Sequence, residues 1–435
     1  RYSSTASASA IRVVLEEHPE FVVVRLDLRN AYNAAERAVL LRRFSEHPAL
    51  APLLPLLHAT LSRATGLVVG EERMPLFGGA RGDSDTGTQQ GGPPSSGLFC
   101  VGIQPELSGL DDELRPFGGG ARAIMDDVYA FGPAAVVFPA IIRFASALQV
   151  SLGLLLQAHK SACFSRQYDL DFCPWRQRAG IPIGRLSADA AAPRGVMVGG
   201  VPMGTPQYVQ AVLTAEVDEI VSYIETTVTQ LRPHDPHAVW ASLYYCCSWR
   251  FDFWLRHLHP VETVPQAVRI DMAIAAAVEA LGYQGMLGDQ ITRRRFRLPA
   301  RMRGLGLRSR ADLAAAAFAA CFAESAECFL HDASGQGGFF AMLAPLFGTR
   351  ADRLTRFLSP HQLQISATAA AFSDAWQSMQ QEVAGQGVSG PLDQPMAQAG
   401  AGRAASAGLQ RLVTTQREQV ARGALHRDIM PAAAW

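Results

Sequence analysis

Phe21-Val22-Val23-Val24-Arg25-Leu26-Asp27-Leu28 is the stretch on which the fold turns. Its β-branched and apolar run predicts a buried strand, yet it delivers an aspartate near its end. Working outward, Arg122 to Met125 and Val128 to Phe131 read as two arms of a hairpin, with the turn at Asp126-Asp127. Helical spacing covers Ala34 to Phe44 and Ala51 to Thr65, with Pro48 and Pro52 punctuating the gap. Gly66 to Gly92 is rich in glycine and reads as strand fragments and loops, and Pro93 to Leu110 as a helix opened by prolines. A helix from Ala134 to about Leu152 and a short strand at Ala162 to Ser165 follow. Asp169 to Arg194 reads as irregular connection and Gly195 to Met203 as a further hairpin. From Pro206 onward the pattern is mostly helical, and the Ala/Gly/Gln-rich stretch from Gln381 to Gly408 reads as a linker. The expectation is an α+β module followed by helical domains.

The chain has 435 residues, enough for two to four domains, and 49% of them are apolar. Net charge is zero, so any nucleic-acid surface has to be local. Seven scattered cysteines form no C-x-x-C pair, which argues against a disulfide framework or zinc knuckle and favours a reducing, intracellular compartment. Arg1 to Ala10 lacks the apolar core of a secretory signal. The most apolar stretch, Val128 to Gln157, is broken by Gly132, Pro133, Pro139 and Arg143, so it reads as core strand and helix with no membrane span. Lysine occurs once, at Lys160, and asparagine twice, at Asn30 and Asn33, while arginine supplies every other basic residue. A GC-rich genome would account for this, because lysine and asparagine share A-rich codons; the coding DNA tests that explanation. Under such a bias, a surviving Lys or Asn is a candidate for retention by chemistry.

Asp27 at a strand end and Asp126-Asp127 at a hairpin tip share one difficulty. An ionised carboxylate beside apolar surroundings is costly unless it is paired or metal-bound, and three together repel one another. A pair of divalent cations removes the problem, and oxygen-only ligands suit Mg²⁺ or Mn²⁺. Two such ions can stabilise both the attacking and the leaving oxygen of an in-line phosphoryl displacement. Asp-Asp in a turn is weak evidence by itself, since aspartate is a common turn residue.

The surroundings strengthen it. Leu26-Asp27-Leu28-Arg29-Asn30-Ala31-Tyr32-Asn33 resembles motif A of reverse transcriptases, especially those of non-LTR retrotransposons. Gly87-Thr88-Gln89-Gln90-Gly91-Gly92-Pro93-Pro94-Ser95 resembles motif B, Ile124-Met125-Asp126-Asp127 motif C, and Gly153-Leu154 with Gln157-Ala158-His159-Lys160-Ser161 motif D. Gly195 to Gly204 resembles the motif E hairpin that grips the primer. Gly304-Leu305-Gly306-Leu307-Arg308 is similar to a segment that follows the thumb in some of these elements. The likeness covers roughly residues 11–330, with five motifs in family order. The chain departs from the family at Gly92, where Asp or Cys is frequent, and at Ile124, where an aromatic residue is common. Gln157 stands where Asn is usual.

The resemblance implies a right-hand polymerase palm, with a ferredoxin-like antiparallel sheet and helices, over residues 21–204. A helical thumb is expected over 205–290, a basic helical region over 291–380, and a linker with a C-terminal helix over 381–435. Residues 1–20 would supply at most the last helix of a fingers subdomain. Asp27, Asp126 and Asp127 would bind two Mg²⁺ (or Mn²⁺) ions, with the Leu28 carbonyl as a further ligand. Tyr32 would act as a steric gate against a 2′-hydroxyl, Gln90, Gly91 and Asn33 would line the nucleotide site, and Lys160 would protonate the leaving pyrophosphate. All the lysine and asparagine of the chain therefore falls inside motifs A and D. The implied partners are an RNA template, a DNA primer and dNTPs, in the nucleus for a eukaryotic host.

Between Ile291 and Arg310 stand Arg293, Arg294, Arg295, Arg297, Arg301, Arg303, Arg308 and Arg310, with no Asp or Glu among them. Such a run is a candidate phosphate-binding surface. Two other readings stay open: a catalytically inactive nucleic-acid-binding relic or scaffold, and an RNA-dependent RNA polymerase. The latter family usually carries Gly-Asp-Asp in motif C, which this sequence lacks.

Overall fold

The computed structural model describes residues 4–61, 65–66, 68–69, 72–73, 83–84, 86–88, 92–283, 288–318 and 321. The expected linker and C-terminal helix lie outside the described residues, as do Gln90 and Gly91. The chain forms two compact units, His18–Gly200 and a second one made of Arg1–Glu17 with Val201–Trp435.

In His18–Gly200, strand β1 (Val22–Leu26) is followed by helices α1 (Arg37–Ser45) and α2 (Ser95–Leu114). Then come β2 (Gly120–Ile124), β3 (Asp127–Gly132), helix α3 (Ala134–Leu152) and β4 (Ala162–Ser165). The four strands make one antiparallel sheet in the spatial order β2-β3-β1-β4. Taking α2 and α3 as its long helices, the chain runs strand-helix-strand-strand-helix-strand, a split β-α-β arrangement of the α+β class.

Strand alternation explains which face is which. Val22, Val24, Leu26 and, from β3, Val128 and Ala130 enter one core with Leu98, Phe99 and Ile103 of α2 and Val137, Phe138, Ile141 and Phe144 of α3. Each such side chain, fully buried, contributes about 1.5–3 kcal/mol. That is ample to fix the register, because the opposite face is packed as well, with Val23, Tyr129 and Phe131 buried, and a one-residue slip would exchange the two sets. By length and composition α3 could cross a membrane. Its buried stripe instead packs into this core, and Arg143 on its exposed side pairs with Glu113.

Several boundaries differ from expectation. The hairpin turn is Met125-Asp126, because Ile124 pairs with Asp127 and Asp127 is already in β3. Turn propensity favoured the two aspartates, but strand parity overrules it: this register keeps Val128 in the core. The cost falls on Met125, which adopts a left-handed φ of 59° without being glycine. The segment expected as one helix over 51–65 is a 3-10 turn, Pro48–Leu53, and a short helix, Leu54–Leu61, since Pro52 has no amide hydrogen to donate. Helix α2 starts at Ser95, after the prolines, and runs on to Leu114. The supposedly irregular connection contains a helix, Pro174–Ala179, with Cys173 as N-cap and Gly180 as its left-handed end.

Strands β5 (Gly195–Val198) and β6 (Val201–Gly204) form a two-stranded hairpin. Its turn residues Gly199 and Gly200 have φ of 55° and 82°, as tight hairpins demand, and the division between the two units falls there.

The second unit is helical in its described part. Helix α4 (Pro206–Leu231) opens with Thr205 as N-cap and packs along α5 (Pro260–Ala280). Gln266 donates to Thr214 at 3.0 Å, and Arg269 pairs with Asp218 at 2.5 Å between these helices. The N-terminal helix Ser4–Glu17 belongs to this unit: Ile11, Val14 and Leu15 are buried, and Arg12 donates to the His257 carbonyl at 2.7 Å. Helix α6 (Gln290–Arg297) is capped by Asp289, which accepts from Ile291 and Thr292 N–H groups.

Candidate active site

The face of the sheet opposite this core buries Val23, Tyr129 and Phe131 and carries the charged residues Arg25 and Arg122. Arg25 is paired across the strands with Tyr129, and Leu26 with Val128. One further step along the same register sets Asp27 opposite Asp127. Both carboxylates therefore leave the sheet on the face away from α2 and α3, at the end of β1 and the start of β3. Asp126, exposed in the adjoining turn, completes an acidic edge.

Each of the two strand carboxylates is held. Gln157 Nε2 donates to Asp27 Oδ2 at 3.0 Å. The Ser161 hydroxyl accepts from the Asp27 N–H at 3.1 Å and donates to the Gln157 carbonyl at 3.0 Å. Backbone bonds from Gln157 N to Asp27 O and from Arg29 N to Leu155 O clamp the segment. They bracket a bridge between Leu28 and Leu156 in which Leu28's own carbonyl is not the bonded atom. On the other strand, the buried Tyr129 hydroxyl accepts from the Gly199 N–H at 2.9 Å and lies beside the Asp127 carboxylate, whose pKa it lowers. Burial pushes the Tyr129 phenol up to about 12.

Asp127 has its carboxyl pushed above the ordinary value, chiefly by burial, and further by Asp126 and Asp27. Arg25 and the Tyr129 bond oppose the shift. The three carboxylates thus interact unfavourably as they stand, which is the condition a cation relieves.

Among the described residues, no three His, Cys, Asp or Glu side chains form a ready-made metal cage. The donor set still fits Mg²⁺, which keeps several waters and uses one or two carboxylates in preference to an all-protein cage.

Tyr32, in the short helix Ala31–Ala34, packs its ring on Phe99 at 4.9 Å and brings its hydroxyl to 3.5 Å from Ser96 Oγ. Burial raises its phenol, and Asp126 adds to the rise. The same two causes raise the thiol of Cys100, on the second turn of α2. Tyr32, the start of α2 and the Asp126 turn therefore share one neighbourhood. Asn33 and Lys160 are exposed. Lys160 sits in the turn closed by Gln157, next to Ser161.

Asn30 has φ 48°, a left-handed conformation that asparagine tolerates better than most side chains, and its carbonyl accepts from Asn33 and Ala34. Gly87 also has positive φ, at 65°, and a Cβ there would lie 2.3 Å from the Tyr32 carbonyl oxygen. This close approach docks the Thr86–Thr88 segment on the short helix Ala31–Ala34. Arg37, 7% exposed, secures it by donating to the Gly87 and Thr86 carbonyls at 2.7 and 2.8 Å.

Sequence reasoning missed the supporting roles of Gln157, Ser161, Tyr129 and Arg37. Tyr129 was within reach, since it lies two positions from Asp127 in a strand. Nothing in the sequence marks Arg37 as buried.

The arginine run lies in the other unit and is not one surface. Arg295, Arg301 and Arg303 are exposed and Arg293 is half-buried. Arg297 pairs with Asp312 at 3.0 Å, and the fully buried Arg310 pairs with Asp252. Arg308 lies over the Trp249 ring at 5.5 Å. The Arg294 side chain is outside the described residues. Among the described residues every cysteine is free.

No family model and no curated protein matches this chain. Among solved structures, telomerase from Candida albicans, in complex with the TWJ fragment of telomeric RNA, matches at 12% identity and a TM-score of 0.28. The match covers 65% of this chain and 50% of that one, so the chain spans about half the length of that relative. A likeness this weak carries no argument about fold or activity.

Proposed function

We propose that His18–Gly200 is the palm of a reverse transcriptase, an RNA-directed DNA polymerase of retroelement type. The observation that carries this reading is the register that sets Asp27 opposite Asp127, with Asp126 in the adjoining strained turn. In this reading Asp27, Asp126, Asp127 and the Leu28 carbonyl hold two Mg²⁺ or Mn²⁺ ions. Those ions would activate a primer 3′-hydroxyl and offset charge on the dNTP triphosphate.

The protein's own part is positioning and selection. Gln157 and Ser161 fix the Asp27 carboxylate and backbone, and Tyr129 fixes that of Asp127. Tyr32, braced on Phe99, closes the sugar side of the site against a 2′-hydroxyl. Gln90, Gly91 and Asn33 contribute to the nucleotide pocket, and Lys160 donates a proton to departing pyrophosphate. The helices from Pro206 onward serve as thumb, and Arg293, Arg294, Arg295, Arg301 and Arg303 meet the phosphates of an RNA–DNA hybrid. Arg297 is the weakest of the proposed contacts, because Asp312 already engages it.

The test is Mg²⁺-dependent incorporation of dNTPs on a primed RNA template. Asp126→Asn should reduce it by more than the roughly 100-fold that bounds loss of an outer-shell partner. Incorporation that survives this change refutes the assignment, and a preference for rNTPs would favour an RNA polymerase. The alternative outcome of the same test is a non-catalytic nucleic-acid-binding scaffold. It predicts nucleic-acid binding without Mg²⁺-dependent affinity for dNTPs.

A further inference from the structure

The second unit carries an aromatic surface that the proposed polymerase site does not use. Trp240 stacks on Tyr244 at 5.2 Å, and Tyr244 meets Tyr245 edge-on at 4.7 Å. Tyr245 is 70% exposed and Trp249, four residues on, is 47% exposed. The backbone between them is a π-helical turn, Leu243–Cys247, a distortion found most often at functional positions.

The arginine-rich segment folds back onto this surface. Gly306 lies against the Tyr244 ring, where a Cβ would come to 2.3 Å, and Arg308 covers the Trp249 ring at 5.5 Å. Arg308 also lines a cavity of about 600 Å³, as do Arg293, Met272, Ile274, Phe296 and Leu307. Rings open to solvent, guanidinium groups beside them and an apolar hollow next door therefore occur together. Arginine and aromatic faces are what unpaired nucleotides require: bases stack on the rings while phosphates meet the cations. A duplex, whose bases are already stacked, gains little from such a platform.

We infer that Trp249, Tyr245 and Arg308 form a binding surface for single-stranded nucleic acid, separate from the carboxylate site. Trp249 and Tyr245 stack bases, and Arg308 meets the backbone beside the cavity. The inference does not depend on the polymerase reading.

The full chain is titrated with fluorescein-labelled 20-nucleotide single strands of RNA and of DNA, and with the matching duplexes, followed by anisotropy. Trp249→Ala and Tyr245→Ala should each weaken single-strand binding about tenfold and leave duplex binding little changed. Arg308→Gln should reduce the salt slope of single-strand binding by about 0.7. Phe172→Ala, at an exposed aromatic residue of the other unit, should bind single strands like the parent chain, which shows that the loss belongs to these rings. If Trp249→Ala lowers the melting temperature, the more exposed Tyr245→Ala and tryptophan quenching by unlabelled strands decide. Unchanged single-strand affinity in the tyrosine and arginine variants, or equal losses for single strand and duplex, overturns the proposal. So does competition by an acidic peptide at the strand's own concentration.

Discussion

Asp27 and Asp127 are far apart in sequence and face each other one register step beyond the β1–β3 ladder. The arginines from 293 to 310 are neighbours in sequence and end in different environments, from the exposed Arg295 to the fully buried Arg310. The carboxylates are brought together by an apolar core that tolerates one register. The arginines are dispersed by helix periodicity and by aspartates that come from elsewhere, Asp252 and Asp312. Charge that is contiguous in a sequence is therefore a poorer guide to a site than charge placed at strand ends by parity.

The largest test of that contrast is within the arginine run. Arg310→Ala should cost about 3–5 kcal/mol in urea unfolding, because it leaves Asp252 half-buried without its partner. Arg295→Ala should stay within about 0.5 kcal/mol. Equal effects would mean the run behaves as one surface after all. The next test concerns the carboxylates. Gln157→Ala should weaken Mn²⁺ binding, read by calorimetry or spin resonance, by about 10–100-fold. An unchanged affinity would leave Asp27 merely adjacent to a glutamine. A smaller effect belongs to the turn: Met125→Gly removes a left-handed non-glycine residue and should raise metal-free stability by about 1 kcal/mol.

The last prediction is a direction. The Asp127 carboxyl is raised in the folded protein, so between its unfolded and folded values the native state binds more protons. Stability then falls as pH rises through that window and stays lower above it. Metal-free Asp127→Asn should therefore be more stable than the parent at about pH 7 and flatter across the window. Thermal melts over that range check it; a less stable variant would show that the Tyr129 and Arg25 interactions outweigh burial and repulsion.

Much of the first unit was legible in the sequence because its core is periodic. The β-branched apolar run of 21–28 and the hairpin pattern of 122–131 give strands, and the apolar stripe of 134–152 gives a helix. The turn was misplaced by one residue because local turn preference and strand parity disagree at Met125, and parity is enforced by a core the sequence does not display. The carboxylates were legible as residues, but their supports were not. The bonds from Gln157 to Asp27 and from the Gly199 N–H to Tyr129 join positions that only the folded chain brings together. The arginine run was legible as composition alone, and its dispersal depends on partners outside it.

Arg37 has a consequence for how this molecule can vary. One guanidinium binds the carbonyl of Leu61 on one side, and those of Thr86 and Gly87 on the other. It therefore works as a buckle across both ends of the intervening segment. The pairing of Thr65–Gly66 with Asp83–Ser84 fastens the same ends a second time, so closure entropy sets little limit on the length between them, at about 0.6 kcal/mol per doubling. Natural variants and engineered insertions should then accumulate between Leu61 and Thr86, and be scarce wherever the buckle itself is missing.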